Sequence, residues 1–121
     1  MHPKTRTIIE FLKLNLHRNV TLKEMTRSAH LSRSRLFYLF KCEVGLPPGQ
    51  YLKSLRLERA RQLLETTMLS VKEVTAAAGF RDQSHFVRDF KKAYELTPSQ
   101  YRNRHFNQND EATTTGRKIG Q

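Results

Sequence analysis

The sequence repeats one segment of about 32 residues, and this repeat constrains the fold more than any other feature. The offset between the copies is 49 residues, becoming 50 after a one-residue gap, and eleven aligned positions are identical. The identities pair Lys23, Glu24, Thr26, Ala29, Ser34, Phe40, Lys41, Leu46, Pro48, Gln50 and Tyr51 with Lys72, Glu73, Thr75, Ala78, Ser84, Phe90, Lys91, Leu96, Pro98, Gln100 and Tyr101. One structural unit is therefore used twice, which suggests two equivalent contacts with a ligand that itself repeats.

Each copy begins with the signals of a short, capped helix. Thr21 with Glu24, and Ser70 with Glu73, form capping boxes, in which a hydroxyl and a carboxylate satisfy unpaired N–H groups at a helix start. In the second copy Gly79 can adopt the left-handed conformation that a tight helix end requires. These signals predict a short helix that stops abruptly at a turn.

The turn leads to a second helix, which we predict from about Ser32 to Val44 and from Gln83 to Tyr94. His30 holds the turn position of Gly79 in the first copy, where a left-handed backbone costs more for a residue with a Cβ. A helix, a turn of three or four residues and a second helix packed across the first form a helix-turn-helix, whose second helix can lie in a DNA major groove.

The rest of the chain also has helical periodicity, and no strand pattern competes with it. Apolar residues spaced three and four apart predict a helix from about Thr5 to His17, and the last helix begins at Pro98 with Thr97 as its cap. We predict an all-α domain over residues 4–104, with helix-turn-helix units at about 23–44 and 71–94, a connector helix at about 48–65, and a polar, disordered tail over 105–121.

The charge of the chain narrows the class of partner. Lys and Arg number 22 against 11 Asp and Glu, which gives a formal net charge of +11. Such an excess attracts polyanions through counterion release, so nucleic acid is the leading partner class and an anionic membrane surface the second. Because the sequence has no run of 18 apolar residues and no secretory signal, we expect no membrane association and a cytoplasmic location.

Catalytic and cofactor chemistry is not indicated. Cys42 is the only cysteine, which rules out an internal disulfide and argues against a Cys-based zinc cluster. The five histidines are scattered without metal-ligand spacing, and no nucleophile–base pair or phosphate-cradling glycine loop is found. We predict a protein that is not an enzyme, has no cofactor, and shows no evident site for a small-molecule effector.

The second helix of each copy divides into a core side and an opposite side at 100° per residue. Leu36, Leu39 and Phe40 mark the core side in the first copy, and Phe86 and Phe90 mark it in the second. Residues opposite or on the flank, together with one at the start of the later helix, are the base-facing candidates: Ser34, Phe37, Tyr38, Gln83, Ser84, Val87 and Arg88.

These side chains differ in what they could read. Arg88 is the strongest candidate, because a guanidinium can contact guanine O6 and N7 together; a phosphate contact or a surface ion pair is the alternative. Gln83 could pair with adenine, and Phe37 and Val87 could meet thymine methyl groups. Phe37 could equally pack at the core edge, and Tyr38 could pack beside the turn or bond a base or phosphate.

Basic side chains around both second helices are expected to bind phosphates, which sets affinity and register without reading sequence. These candidates are Arg33, Arg35, Lys41, Arg81 and Lys91. Simple solvation is the alternative for each of them. Asp82 is expected to cap the later helix, which is the common use of aspartate at such a position.

The connector has a length that suits duplex DNA. About 18 residues at 1.5 Å each span roughly 27 Å, close to the roughly 34 Å that separates successive major grooves on one face. Basic residues at Lys53, Arg56, Arg59 and Arg61 predict a basic outer surface for this helix, with ordinary solvation as the alternative.

Residues 59–102, "RARQLLETTMLSVKEVTAAAGFRDQSHFVRDFKKAYELTPSQYR", resemble the signature of the AraC/XylS-type DNA-binding domain, and "HLSRSRLFYLFKCEVGLPPGQYL" resembles its first half. The similarity covers about residues 6–104. It implies seven helices in two helix-turn-helix lobes joined by a long central helix. It also implies a transcription factor, usually an activator, with the seven base-facing candidates directed toward DNA.

Two functions follow as hypotheses. The first is a sequence-specific regulator that inserts two recognition helices into successive major grooves of duplex DNA, with RNA polymerase as a further partner, in the bacterial cytoplasm on the nucleoid. The second is a helical protein-interaction module that antagonises another regulator or binds RNA polymerase without specific DNA binding. RNA binding is less favoured, because no sheet with an aromatic platform is predicted.

Overall fold

The computed structural model describes the backbone of residues 1–117 and the side chains of residues 1–108. Seven helices and no strand make up the described backbone, so the all-α prediction is confirmed. In chain order they are α1 (Pro3–Asn15), α2 (Leu22–Ala29), α3 (Arg33–Glu43), α4 (Pro48–Thr66), α5 (Val71–Ala77), α6 (Gln83–Tyr94) and α7 (Pro98–Arg117).

Two separate apolar cores divide the helices into two lobes that share α4. The first core joins α1, α2 and α3 to Leu52 near the start of α4. The second joins α5 and α6 to Leu57, Ala60 and Leu64 in the rest of α4, and Tyr101 of α7 packs against it. Full burial of a Leu or Phe side chain contributes about 1.5–3 kcal/mol, so each lobe is held mainly by its own core while α4 connects them.

The backbone follows the sequence repeat even where the residues differ. Four residues in the described part of the chain have positive φ, and they form two pairs related by the repeat. His30 at 54° corresponds to Gly79 at 92°, and Gly45 at 86° corresponds to Glu95 at 67°. The two lobes therefore use the same turns, with glycine in only one copy of each.

The predicted capping residues are found at the helix ends. Both capping boxes form, and Glu24 Oε1 accepts from the amide of Thr21 at 3.1 Å in the first of them. Glu24 also pairs with Arg18 at 2.8 Å. The hydrogen bond from Arg18, followed by that from the Thr21 amide, lowers the pKa of Glu24 to about 2. Each cap satisfies amides that the helix itself cannot.

In each lobe an arginine donates hydrogen bonds to backbone carbonyls at the C-terminal end of the first helix, which is α1 in the first lobe and α4 in the second. Arg102 of α7 donates from Nε to the carbonyl of Leu64 at 3.2 Å, and from its two Nη atoms to those of Leu69 at 2.5 Å and Thr67 at 3.1 Å. Arg56 of α4 likewise donates to two backbone carbonyls just beyond α1. A cation at a helix C-terminus satisfies unpaired carbonyls and is favoured by the helix dipole.

The last helix is longer than the sequence indicated. We predicted a short helix and a disordered tail over 105–121, whereas α7 continues to Arg117; residues 118–121 lie outside the described part. The sequence prediction relied on apolar periodicity, which ends near Phe106. Extending a helix costs less than starting one, and Thr97, Pro98 and Gln100 have already started α7 with a cap in both directions.

Candidate nucleic-acid interface

Helix α3 presents one side to the first core and leaves the other exposed. Ser32 caps it by accepting from the amide of Arg35 at 3.1 Å. Leu36, Leu39 and Phe40 are buried at 0–4% exposure. The predicted base-facing residues of this helix all remain exposed: Ser34, Phe37 and Tyr38.

The two aromatic base-facing candidates of α3, Phe37 and Tyr38, lie outside the core, unlike Phe40. Phe37 keeps 39% of its surface exposed, so it does not sit inside the first core. Tyr38 is 55% exposed, and the guanidinium of Arg35 lies 5.3 Å from its ring centroid. This cation–π contact holds a flat apolar surface at the outer face of α3, where it is available to a base or sugar.

Helix α6 divides into three sides. Asp82 caps it by accepting from the amide of Ser84 at 2.7 Å, as predicted. Phe86 and Phe90 are fully buried in the second core, and Asp89 faces α4, where it pairs with Lys53 at 3.4 Å. The remaining side bears Ser84, Arg88 and Lys91, all exposed, with Gln83 exposed at its start.

Val87 is the base-facing candidate that departs from this pattern. It is half-buried and packs against the second core, whereas its repeat equivalent Phe37 is exposed. The larger ring projects further from the helix axis than the two methyl groups of valine. Only the outer part of Val87 is therefore open to a ligand.

The phosphate-binding candidates form an exposed set of cations around α3 and α6. Arg33, Arg35, Lys41, Arg81 and Lys91 are all exposed. Among the side chains described, the ion pairs join Arg18 to Glu24, Lys53 to Asp89 and Arg61 to Glu58 and Glu65, and His85 approaches Asp82. None of these pairs uses a cation of α3 or of the exposed side of α6. The positive charge of both helices therefore remains available to an anionic ligand.

Two of the four connector cations, Arg56 and Arg61, are half-buried and used inside the fold, which corrects the predicted basic outer surface for them, whereas Lys53 and Arg59 stay exposed. Arg61 pairs with Glu58 at 2.5 Å and with Glu65 at 2.7 Å. The hydrogen bond from Arg61 lowers the pKa of Glu58, and that from Tyr101, followed by the charge of Arg61, lowers the pKa of Glu65. The three- and four-residue spacing of these charges is the signal that indicates such pairs.

Arg56 is the second connector cation with an internal role. Its Nε donates to the carbonyl of Leu16 at 2.8 Å and its Nη2 to that of Arg18 at 2.7 Å. Burial lowers the pKa of Arg56 from its usual value, although an arginine stays charged in proteins. No sequence signal points to this long-range contact.

Two further observations concern metal ligands and thiols. The described residues contain no group of three or more His, Cys, Asp or Glu side chains that could hold a metal ion. Cys42 is a free thiol exposed on α3.

None of the described helices is both long and apolar enough to cross a bilayer.

Comparison with known proteins finds relatives across most of the chain. A family profile described as a helix-turn-helix domain matches residues 25–104. The lactose operon transcription activator of Staphylococcus xylosus is 31% identical over 102 residues, covering 84% of this chain and 36% of that protein. The transcriptional activator NphR of Rhodococcus sp. is 40% identical over 95 residues, covering 78% and 28%. The chain thus spans about a third of the length of these relatives.

The fold also has a solved counterpart. A transcriptional regulator from Chromobacterium violaceum, described by its AraC-type DNA-binding domain, superimposes with a TM-score of 0.81 and 30% identity. The match covers 85% of this chain and 92% of that one. The arrangement of two lobes around α4 is therefore shared with a known regulator.

Proposed function

Because the chain belongs to the AraC-type helix-turn-helix family of transcriptional regulators, we propose that it binds duplex DNA sequence-specifically, with α3 and α6 as its recognition helices. The observation that carries this proposal is that the exposed faces of α3 and α6 bear the same serine and lysine residues at corresponding positions. Ser34 and Ser84, and Lys41 and Lys91, are identical, exposed, and occupy corresponding positions of the repeat. Both helices thus offer hydroxyl and cationic groups at the same places.

The proposed division of labour follows the chemistry of the exposed groups. Arg88 reads guanine, Gln83 reads adenine, and Ser34 and Ser84 add hydrogen bonds of low discrimination. Phe37, Tyr38 and the outer part of Val87 contact thymine methyl groups, sugars or base edges. Phosphate contacts come from cations with no carboxylate partner among the described ion pairs: Arg33, Arg35, Lys41, Arg81 and Lys91.

The connector supports binding in two successive major grooves. Helix α4 has 19 residues, which span about 28 Å at 1.5 Å each. Successive major grooves lie about 34 Å apart on one face of B-form DNA. One chain could therefore cover about two turns of duplex, or about 20 base pairs.

We propose that the DNA-bound protein activates transcription in the bacterial cytoplasm, on the nucleoid, with RNA polymerase as its partner. The support is the description of two relatives as activators. An in vitro transcription assay on a promoter that carries the selected site tests this part: increased transcript supports activation, and decreased transcript indicates repression.

Selection of bound sequences from a random duplex pool tests the DNA-binding proposal. We expect one enriched site of about 20 base pairs. Five phosphate contacts predict that the logarithm of affinity falls with the logarithm of salt concentration with a slope of about −4.5. A pool that stays unenriched while the protein remains folded would reject specific DNA binding and favour a protein-interaction module.

A further inference from the structure

The two lobes meet at a point where no side chain fits. Gly79, in the turn between α5 and α6, lies against the carbonyl of Leu16 at the end of α1. A Cβ built on Gly79 would stand 1.9 Å from that oxygen and 2.9 Å from Nε of Arg56. Real Cβ atoms do not approach so closely, so the backbone of the second lobe touches the backbone of the first.

The internal repeat shows whether glycine is required at position 79 by the backbone conformation of the turn or by the contact with Leu16. His30 occupies the same turn position in the first lobe, with a left-handed φ of 54°, and it is exposed. The turn itself therefore accepts a side chain. Glycine is required at position 79 because of the close approach of Leu16, and not only because of its backbone conformation.

Arg56 completes the contact from the connector. The hydrogen bonds of its guanidinium to the carbonyls of Leu16 and Arg18 tie the first turn beyond α1 to the middle of α4. The ion pair between Lys53 and Asp89 adds a tie between α4 and α6. Lys53 and Arg56 are three residues apart and lie on the same face of α4. The second lobe is thus fixed to the first by contacts from that face, and a connecting helix alone would leave it less constrained.

We propose that the contact of Leu16, Arg56 and Gly79, here called the lobe junction, positions α6 relative to α3 and thereby sets the spacing of half-sites that the protein accepts on DNA. This inference rests on the proposed function. These three are positioning residues, because they act through contacts with one another: Leu16 is buried, and Arg56 and Gly79 are half-buried against it. One inserted base pair displaces the far half-site by about 3.4 Å and rotates it by about 35°, so a rigid junction should reject it.

Two variants disturb the junction by different means. Gly79→Ala places a methyl group against Leu16, and its control is Gly45→Ala, which has a similar φ of 86° with nothing within 4 Å of the added Cβ. Arg56→Gln removes the guanidinium without adding bulk. Its control is Arg59→Gln, because Arg59 bonds to Ala77 of its own lobe.

The free protein provides the first readout. Nitroxide labels at Cys42 and at Lys92→Cys mark equivalent, exposed positions on α3 and α6. Double electron–electron resonance measures the distance between the two labels. We expect one narrow distance distribution in the parent and in the controls, and a shifted or broadened one in both junction variants. Helical circular dichroism verifies that each variant is folded. A distribution that stays unchanged in folded Arg56→Gln and Gly79→Ala would overturn the inference.

The second readout uses duplexes with the selected half-sites moved apart or together by one or two base pairs. The parent and controls should lose at least about 10-fold in affinity per base pair, whereas the junction variants should lose less than about 3-fold or prefer a new spacing. Retention of the parent profile by both variants would also overturn the inference. If the parent shows no specific binding at all, the proposed function fails, and the label distances still decide the role of the junction.

Discussion

Arg102→Met should destabilise the second lobe strongly, because this guanidinium donates to three carbonyls where α4 ends. Hydrogen bonds to a charged group contribute about 1.5–3 kcal/mol each. Arg102 is only partly buried, so water can replace part of the loss, and we expect the free energy of unfolding to fall by about 2–4 kcal/mol. Methionine keeps most of the aliphatic stem, which confines the change to the polar contacts.

The assay is urea unfolding followed by circular dichroism, with Arg88→Met as the matched control. Arg88 is exposed on α6, so the same substitution there should change stability by less than about 0.5 kcal/mol. A domain of this size changes its Tm by about 4–8 °C per kcal/mol, so the Tm of Arg102→Met should fall by about 10–30 °C. Equal stability of the two variants would refute the view that Arg102 closes α4.

Three further predictions concern base recognition, the stability of the fold in acid, and backbone strain in a turn. Arg88→Ala should weaken binding to the selected site by about 5- to 150-fold and relax one position, whereas Lys91→Ala should weaken binding to all sequences alike; unchanged preference in Arg88→Ala, measured by repeated selection, would reassign Arg88 to phosphate. The folded pKa of Glu24 is about 2 against an ordinary 4.5, so its stabilising effect is complete above about pH 5 and is lost toward pH 2. Glu24→Gln should therefore lower the Tm at pH 7 and bring it close to that of the parent at pH 2, and a deficit of equal size at both pH values would contradict this. His30→Gly should raise the free energy of unfolding by about 0.5–1 kcal/mol, because it relieves a left-handed non-glycine backbone; a loss of stability in urea unfolding would show that the histidine side chain contributes more than the strain costs.

Local signals explain how much of the fold the sequence could predict. The capping boxes at Thr21 and Ser70 and the cap at Asp82 act over three residues, so both partners of each cap lie within one short stretch of sequence. The periodicity of α3 and α6 assigned the buried and exposed sides correctly, because each helix packs on only one core. The resemblance to the AraC/XylS-type domain is confirmed by the family match.

The remaining features depend on distant partners. Arg56 lies 40 residues from Leu16 in the chain, and Gly79 lies 63 residues from it, so no local pattern could distinguish the lobe junction from a solvated arginine and an ordinary turn glycine. The prediction that places Arg61 on the outer surface is wrong, and Glu58 and Glu65 stand at pairing distance from it along the helix. Its role could have been predicted from spacing alone.

Hydroxyl-radical footprinting on the selected duplex tests most directly whether α3 and α6 occupy successive major grooves. We expect two protected patches on one face of the duplex, separated by about one helical turn of 10 base pairs, with the later patch lost in Arg88→Ala at limiting protein concentration. A single protected patch that covers only one half-site, together with unchanged affinity for a duplex whose other half-site is scrambled, would contradict recognition by both helices.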